Sequence, residues 1–447
     1  RVMVRRPGEW LVCRMLGEWE RELGITIVRH EDARFLTTPG EFRAWVGQRK
    51  ELVMEHFYRW QRKRLGVLVD EDGQPEGGAW NFDTDNRAAF KKAQRVPAAW
   101  SPEPDAITRE VIELVGRSFP THWGRLDAST FRWAVTPEDA RRVLDDFIQH
   151  RLGKFGTYED AMWTGEAFLY HSLLSPALNL GLISPRACVD AAIAAYRSGK
   201  APLNAVEGFV RQIIGWREFI RGVYWHEGEG YEQRNALDQH GKLPELYWTG
   251  ETDMRCMREC VGSVLEHAYA HHIPRLMVMG NFAMLLGVHP KKVSDWYLAM
   301  FADGVDWVTL PNTLGMSQHA DGGVVGTKPY AASGKYIQKM SNYCEQCVYD
   351  VKQRTGEKAC PFNALYWDFL IRNEAALKKN HRMAMVMKNV ERMGVEERVE
   401  IRVSAQRTRE ELGLGNVRHA HETHATNAGK AGISGAGAKS TRRVKSD

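Results

Sequence analysis

The amino-acid sequence predicts an α/β domain followed by a larger all-α domain. Within the first 65 residues, one short apolar strand from Ile25 to Val28 is flanked by helical patterns, which suits an α/β layer. From Thr136 onward the helical periodicity continues without a convincing run of alternating strands, which is typical of an all-α domain. The length of 447 residues fits two or three domains at roughly 100–200 residues each.

Residues 1–69 are predicted to be the remainder of a truncated, Rossmann-like α/β domain. A helical pattern surrounds Trp10 and Trp19, the strand follows, and a second helix begins at Thr38. A parallel sheet needs several strand–helix–strand units, and only about one strand can be recognised in this stretch. We therefore expect the earlier strands of the sheet to precede Arg1.

Residues 70–135 are predicted to be an interdomain linker, because the segment from Asp70 to Ser118 is rich in Gly, Pro, Asp and Asn and has weak periodicity. Thr136 then supplies an N-cap, with Pro137 at the first helical position. The all-α domain is assigned to residues 136–390. Further helices are predicted near 160–180, 186–197, 204–225, 254–270, 274–286, 290–302 and 362–378. Residues 391–447 are a tail whose low-complexity composition predicts disorder after about residue 403.

Composition excludes some classes of protein and leaves others open. No uncharged apolar run reaches roughly 18 residues, so a membrane-spanning protein is excluded. The net charge of +5 is too small to establish a nucleic-acid partner, although it permits a local basic groove. The 7 cysteines are an odd number and no secretory signal is present, so we expect reduced thiols and a cytoplasmic protein.

The strongest local motif is a group of cysteines. Cys344, Cys347 and Cys360 are closely spaced, and Cys256 and Cys260 lie upstream. Thiolates bind zinc or an iron–sulfur cluster, and spacing alone does not choose between them. Buried, inert cysteines are the alternative without a metal. A proline directly after the last ligand also occurs in ferredoxin-type clusters, which favours iron–sulfur.

Two further motifs allow both a chemical and a purely structural interpretation. His271 and His272 precede Arg275, and adjacent imidazoles beside an arginine could form a metal pair, an acid/base site or a polar helix junction. Ser172 and Ser175 stand before a proline, where their hydroxyls could hold phosphate oxygens or could simply cap a helix. The residues alone leave these alternatives open.

Four motifs follow one another along the chain. They are Ser172 to Pro176, Trp216-Arg217-Glu218-Phe219, His271-His272 with Arg275, and Phe301-Ala-Asp303-Gly with Asp306-Trp307. Each motif is loose, but their order is specific, and it resembles the flavin-binding domain of the cryptochrome/photolyase family. The resemblance covers residues 5–390 and implies a photolyase-like architecture, in which an antenna domain precedes an all-α FAD-binding domain. The cysteines make the chain similar to the bacterial iron–sulfur branch, whose photolyases repair (6-4) photoproducts.

The resemblance implies roles for particular residues of this sequence. FAD contacts are implied for Tyr158, Ser172, Leu174, Ser175, Arg275, Asp303, Asp306 and Asn312. A 4Fe-4S cluster is implied on Cys256, Cys344, Cys347 and Cys360, with Cys260 as the local rival to Cys256, an electron relay on Trp248, Trp296 and Tyr297, and a lesion contact at Tyr330. His272, with His271 beside it, resembles the family's catalytic proton donor. Thr309 stands where related photolyases more often carry an amide or a carboxylate facing flavin N5.

Three functions are compatible with these residues. The first is light-driven repair of (6-4) photoproducts in UV-damaged DNA, with an electron passing from reduced FAD to a flipped-out lesion. The second is a cryptochrome that signals without repair, and the third is an iron–sulfur nucleic-acid binding module without flavin. His272 and Tyr330 favour repair, whereas Thr309 keeps the signalling hypothesis open. We expect a monomer, with a lumazine antenna in the full-length protein as in relatives of this branch.

Overall fold

The computed structural model describes residues 1–415. Strand β1 (Val2–Arg5) pairs in parallel with strand β2 (Ile27–His30), and helix α1 (Trp10–Glu22) connects them. This strand–helix–strand unit confirms the predicted α/β character of the N-terminal region. β2 begins two residues after the predicted start of the strand, and β1 was not predicted because a strand of 4 residues shows too little alternation.

Two short helices complete the N-terminal region. Helix α2 (Pro39–Val46) begins with a capping box, in which the Thr38 amide donates to Glu41 at 2.7 Å and the Glu41 amide donates to Thr38 Oγ1 at 3.1 Å. This cap explains the predicted helix start at Thr38. Helix α3 (Met54–Leu65) follows and packs Phe57 and Tyr58 into the core.

Helix α4 (Ala106–Ser118) lies within the segment predicted to be a linker. Asp105 caps its first turn by accepting a hydrogen bond from the Thr108 amide at 2.7 Å. None of the residues of α4 is buried. Ile107, Val111 and Leu114 form an apolar stripe at helical spacing, but all three are exposed, and the Gly- and Pro-rich composition around the helix dominated the prediction.

The remaining elements of the described residues are helices, in agreement with the predicted all-α domain. They are α5 (Pro137–His150), α6 (Leu152–Tyr158), α7 (Ser175–Leu180), α8 (Pro185–Arg197), α9 (Leu203–Val210), α10 (Glu218–Glu227), α11 (Leu246–Thr249), α12 (Arg255–His267), α13 (Asn281–Leu286), α14 (Pro290–Met300), α15 (Asp306–Leu310), α16 (Gly334–Met340), α17 (Pro361–Arg372), α18 (Glu374–Leu377), α19 (Ala384–Glu391) and α20 (Val395–Glu411), together with short 3₁₀ turns. Segments of π-helix occupy Arg211–Arg217, Pro274–Gly280 and Pro311–Ser317. Within residues 1–415, no helix is long and apolar enough to cross a membrane.

The prediction of a helix near 160–180 is wrong for most of these residues. Residues 159–174 are irregular, and the helical part is limited to α7. Leu169 and Leu173 have φ values of +43° and +60°, which are left-handed conformations that end a right-handed helix. Leu169 is 1% exposed, so its side chain reaches the core from this irregular segment, whereas Leu173 is half-buried.

The predicted disorder after about residue 403 is wrong for residues 403–411, which belong to α20. Arg409 is 1% exposed, and its Nη2 lies 2.5 Å from a carboxylate oxygen of Asp368 on α17. Ile401 and Ala405 on the same helix are fully buried. Tertiary packing therefore orders a stretch with a weak apolar pattern. The rest of the predicted disorder falls on residues 416–447, which lie outside the described residues.

Two of the π-helical segments carry predicted flavin contacts, Arg275 in the first and Asn312 in the second. Such segments move side chains out of the regular helical stripe and are frequent at functional sites. The segments 274–280 and 311–317 contact each other. A Cβ on Gly280 would lie 2.1 Å from Ser317 Oγ, so the close approach requires a glycine there. Gln318 Nε2 also donates to the Gly280 carbonyl at 2.9 Å.

The motif Trp216 to Phe219 joins the N-terminal region to the helical domain. The carboxylate of Glu218 accepts hydrogen bonds from the Leu36 amide at 2.9 Å and the Thr37 amide at 3.0 Å. Arg221, one turn further on, donates to the Thr37 carbonyl at 2.9 Å. The polar residues of this helix thus satisfy buried backbone groups of the segment before α2.

Candidate active site and cysteine cluster

Arg275 and Asp303, two of the predicted flavin contacts, form an ion pair. Nη1 and Nη2 of Arg275 lie 3.0 and 3.1 Å from the two carboxylate oxygens of Asp303, so the pair is bidentate. Arg275 Nε also donates to the Ala270 carbonyl at 2.6 Å, and Asn179 Nδ2 donates to the Asp303 carbonyl at 3.0 Å. These bonds hold a positive charge in a fixed orientation.

Three histidines form a cluster next to this pair. The ring nitrogens of His171, His271 and His272 that face one another all lie within 4.8 Å. The rings of His171 and His271 stack with their centroids 4.3 Å apart. The His272 side chain is 45% exposed, and its Nε2 lies 3.1 Å from a carboxylate oxygen of Asp160. The structure therefore adds two residues, His171 and Asp160, to the predicted pair of histidines.

The surroundings shift the pKa values of the three histidines in opposite directions. Burial lowers the pKa of His171 and that of His271 well below the ordinary value of 6.5. At His272 the loss of surrounding water also opposes the charged form, but the hydrogen bond and the negative charge of Asp160 outweigh it and raise the pKa. His272 is therefore suited to carry a proton near neutral pH. The raised pKa of His272 fits the acid/base interpretation of the histidine motif, while the spacing of the three ring nitrogens also suits a metal ion.

A buried carboxyl group lies beside the same cluster. Burial raises the pKa of Glu159 to about 7, although the positive charges of His272 and Arg211 oppose the shift. Its Oε1 lies 3.6 Å from Arg211 Nη2. The sequence does not single out Glu159 or Asp160, because acidic residues after a helix usually face water. Only the fold buries the first and turns the second toward His272.

The segment that leads into α7 carries several of the predicted flavin contacts. Leu174 is 1% exposed and anchors the segment in the core, while Ser172 and Ser175 on either side are half-buried. The residue at the N-cap position of α7 is Leu174, which has no polar side chain, so neither serine occupies that position. Tyr158 is half-buried, with its ring centroid 5.9 Å from that of Tyr170.

Two other predicted flavin contacts have protein partners in this structure. Asp306 accepts a hydrogen bond from the Tyr224 hydroxyl at 2.6 Å, and its amide donates to Glu9 at 2.7 Å. Asn312 Nδ2 donates to the Val308 carbonyl at 2.9 Å within its own helix. The structure therefore does not bring the Asp306 carboxylate into the arginine–aspartate pair. The flavin contacts of Asp306 and Asn312 stay predictions.

One observation tests whether these residues fit a flavin nucleotide. His171 Nε2 is buried and has no hydrogen-bond partner among the described residues. A buried polar atom without a partner costs roughly 1–3 kcal/mol. A polar group of a bound nucleotide would supply that partner, next to the fixed charge of Arg275 and the hydroxyls of the serine segment. The residues present therefore fit such a group.

The three residues of the predicted electron relay lie along one path. The Tyr297 hydroxyl donates to the Arg275 carbonyl at 2.7 Å, and the Tyr297 ring centroid is 5.1 Å from that of Trp296. Trp296 is fully buried, and its Nε1 donates to the Tyr247 carbonyl at 3.0 Å. Trp248 is the next residue in the chain. A hydrogen bond and one peptide unit thus connect the two tryptophans.

Tyr330, the predicted lesion contact, and Tyr336 on α16 share a charged neighbour. Burial raises the pKa of Tyr330 and that of Tyr336, and the charge of Arg87 opposes the shift at both residues. The charge of Asp160 adds to the shift at Tyr336. Both tyrosines are half-buried. Tyr336 therefore lies near the His272–Asp160 pair, and Arg87 lies near both tyrosines.

The four predicted cluster cysteines line one cavity. Cys256, Cys344, Cys347 and Cys360 share it with apolar residues, among them Met254, Ile337 and Phe362. Cys260 lies one turn further along α12, outside this lining, where it contacts Tyr343. The structure thus favours Cys256 over Cys260 as the fourth sulfur of the group.

The chemistry of this cavity fits a metal cluster. Burial raises the pKa of Cys344 to about 11 and that of Cys360 to about 12, so a nearby cation is needed to ionise them at neutral pH. Burial also raises the pKa of Cys256, and the other cysteines add to that shift. A Cβ on Gly334 would lie 2.8 Å from Cys360 Sγ, so a larger residue would fill the space beside the sulfur.

The chain is similar to known proteins over most of its length. The sequence model of the family described as "Deoxyribodipyrimidine photo-lyase-related protein" matches residues 1–133. The (6-4) photolyase of Agrobacterium fabrum (strain C58 / ATCC 33970) is 49% identical over 405 residues, which cover 91% of this chain and 79% of that protein. An uncharacterized protein of Acanthamoeba polyphaga mimivirus is 33% identical over 111 residues, which cover 25% of this chain and 84% of that protein.

Two solved structures also match. A bacterial class III photolyase from Agrobacterium tumefaciens has a TM-score of 0.47 and 16% identity, with 96% of this chain and 78% of that chain covered. The cryptochrome of Synechocystis sp. PCC6803 has a TM-score of 0.45 and 12% identity, with 95% of this chain and 78% of that chain covered. The sequence relationship to the Agrobacterium fabrum protein spans nearly the whole chain. On that relationship, the chain belongs to the cryptochrome/photolyase family, as its four ordered motifs implied.

Proposed function

We propose that this protein is a light-driven DNA repair enzyme that reverses (6-4) photoproducts. The observation that carries the proposal is the His272–Asp160 pair beside the Arg275–Asp303 pair. The repair reaction needs a proton donor next to the flavin site, and His272 has the exposure and the charge partner for that task. The 49% identity to a (6-4) photolyase over most of the chain supports the same reaction.

Membership of the family implies FAD as the cofactor. When bound and reduced, FAD supplies an electron after it absorbs light. The residues that would hold it are Arg275 and Asp303 on one side and Tyr158, Ser172, Leu174 and Ser175 on the other. His171 would pair its free Nε2 with a polar group of the cofactor. Trp248, Trp296 and Tyr297 would pass electrons inward from the surface.

His272 would donate its proton from Nδ1. Its Nε2 is held by Asp160 at 3.1 Å, so the other ring nitrogen is the one left to face a lesion. Loss of the Nδ1 proton leaves a neutral imidazole that still donates Nε2–H to the carboxylate. Asp160 therefore keeps the ring charged before the transfer and fixes its orientation afterwards.

The decisive experiment illuminates the anaerobic, reduced protein with oligonucleotides that carry either a (6-4) photoproduct or a cyclobutane dimer. We expect reversal of the (6-4) lesion and no reversal of the dimer. Flavin-containing protein that repairs neither lesion would support the cryptochrome hypothesis. Purified protein without flavin would instead support the iron–sulfur binding module.

We also propose that Cys256, Cys344, Cys347 and Cys360 hold a 4Fe-4S cluster. Four sulfurs around one apolar cavity, with no histidine in its lining, suit iron–sulfur ligation. The predictions of a monomer, of a cytoplasmic location and of a lumazine antenna in the full-length protein stay predictions.

Tyr330→Ala should weaken binding to damaged DNA by roughly 1–3 kcal/mol, because a ring stacked on an extruded base is lost. Undamaged duplex has no extruded base, so its affinity should hardly change. Binding titrations with both DNAs at two salt concentrations measure the difference. An equal loss on both DNAs would show that Tyr330 lies outside the lesion pocket.

The matched comparison for Tyr330 is a lysine on the neighbouring helix. Lys335 and Lys339 are exposed on α16, and Lys328 is half-buried in the loop before it. Lys335→Ala or Lys339→Ala should weaken binding to damaged and to undamaged DNA alike. Each lost phosphate contact should reduce the slope of log affinity against log salt concentration by about one unit.

A further inference from the structure

Trp123 lies against the outer end of the predicted electron relay. Its ring centroid is 5.7 Å from that of Trp248, with 38° between the ring planes. Trp123 is 47% exposed, whereas Trp296, further along the relay, is fully buried. Sequence alone does not single out Trp123, because it lies in the predicted linker of residues 70–135, far from Trp248 along the chain.

Contacts with α12 hold Trp123 in this position. The Arg125 amide donates to the Leu265 carbonyl at 2.9 Å, and the Arg125 side chain pairs with Glu266 at 3.0 Å. Both tryptophans of the pair also line one surface groove with these residues. The ring contact is therefore part of a bonded arrangement and not a chance approach of a loose segment.

Exposure makes Trp123 a better site for positive charge than the inner rings. A charge costs far less in water than in the low-dielectric interior of a protein. A tryptophan that has lost an electron is a cation, so water stabilises that cation at Trp123 and not at the buried Trp296. The difference favours movement of the positive charge outward along the relay.

We propose that Trp123 is the outermost electron donor of the relay, an inference that rests on the proposed roles of Trp248, Trp296 and Tyr297. The electron acceptor is the light-excited, oxidised flavin. Trp123 gives one electron to the Trp248 radical cation, which becomes neutral, and Trp123 becomes the radical cation. A thiol in solution then gives one electron to Trp123 and releases its proton, and two such thiol radicals combine to a disulfide.

The test compares photoreduction of the FAD-loaded wild-type protein with photoreduction of the FAD-loaded Trp123→Phe, Trp123→Tyr and Trp19→Phe variants. Phenylalanine preserves a packed ring but is much harder to oxidise, whereas tyrosine can still donate an electron. Trp19 is the matched control, because it is also 47% exposed but lies on α1. Flavin reduction under blue light with dithiothreitol and the lifetime of the tryptophan radical by transient absorption are measured. We expect Trp123→Phe to slow photoreduction several-fold and to shorten the radical lifetime, Trp123→Tyr to recover part of the rate, and Trp19→Phe to change neither.

Trp248→Phe separates this inference from the relay on which it rests. Normal photoreduction in Trp248→Phe would overturn the relay and the inference together. Blocked photoreduction in Trp248→Phe with unchanged behaviour in Trp123→Phe would overturn the inference alone. Full flavin reduction by dithionite in every variant shows that each protein is folded and loaded.

Discussion

His272→Ala should lower (6-4) repair by about 10²–10⁴-fold, the usual contribution of a general acid. The substitution removes the proton donor but leaves the Arg275–Asp303 pair and the serine segment in place, so FAD content and DNA affinity should be retained. Repair per absorbed photon in chemically reduced protein is the measurement. Undiminished repair would remove His272 from the acid role and point to His271. Loss of FAD or of folding would instead identify the histidines as a structural helix junction.

The pH dependence of repair tests the same role through Asp160. Repair needs protonated His272, so it should fall as the pH rises through the pKa of that histidine, which Asp160 holds above its ordinary value. Asp160→Asn removes the negative charge and lowers this pKa, so the fall should move to lower pH. Asp190→Asn on the exposed face of α8 is the control and should leave the profile unchanged. An identical profile in Asp160→Asn would rule out the proposed coupling.

Cys256→Ser should remove the cluster and lower the free energy of unfolding by about 4 kcal/mol or more, as loss of a structural metal site does. The cavity would then hold three half-buried thiols without a metal cluster, and the segment with Cys344 and Cys347 would lose its metal-mediated link to α12. Iron content, the broad visible absorbance of iron–sulfur charge transfer and a denaturant melt measure the outcome.

Cys260→Ser is the control for this prediction. Cys260 lies on the same helix and is 2% exposed, but it stands outside the cavity. The Cys260→Ser variant should retain iron. Its free energy of unfolding should fall by less than that of Cys256→Ser, because only a buried thiol is replaced by a hydroxyl. Loss of iron in Cys260→Ser and not in Cys256→Ser would reverse the ligand assignment, and zinc in place of iron would refute the 4Fe-4S proposal.

Local patterns in the sequence were sufficient for the fold class and for the residues that lie within one motif. Helical periodicity and caps such as Thr38 depend on neighbours in the chain, so they are visible without a structure. The four ordered motifs led to the family, and the 49% identical relative confirms it. Adjacent residues such as His271 and His272 could likewise be named together, although their roles stay predictions.

Contacts between residues that lie far apart in the chain were determined only by the tertiary structure. Asp160 contacts His272 across 112 positions of the chain, and the packing of α12 places Cys256, and not Cys260, in the lining of the cavity with the later cysteines. Arg409 is ordered by Asp368, and Trp123 meets Trp248 through the packing of a linker-like segment. Burial, pKa and ring contact depend on distances in space, whereas composition and spacing report only distances along the chain.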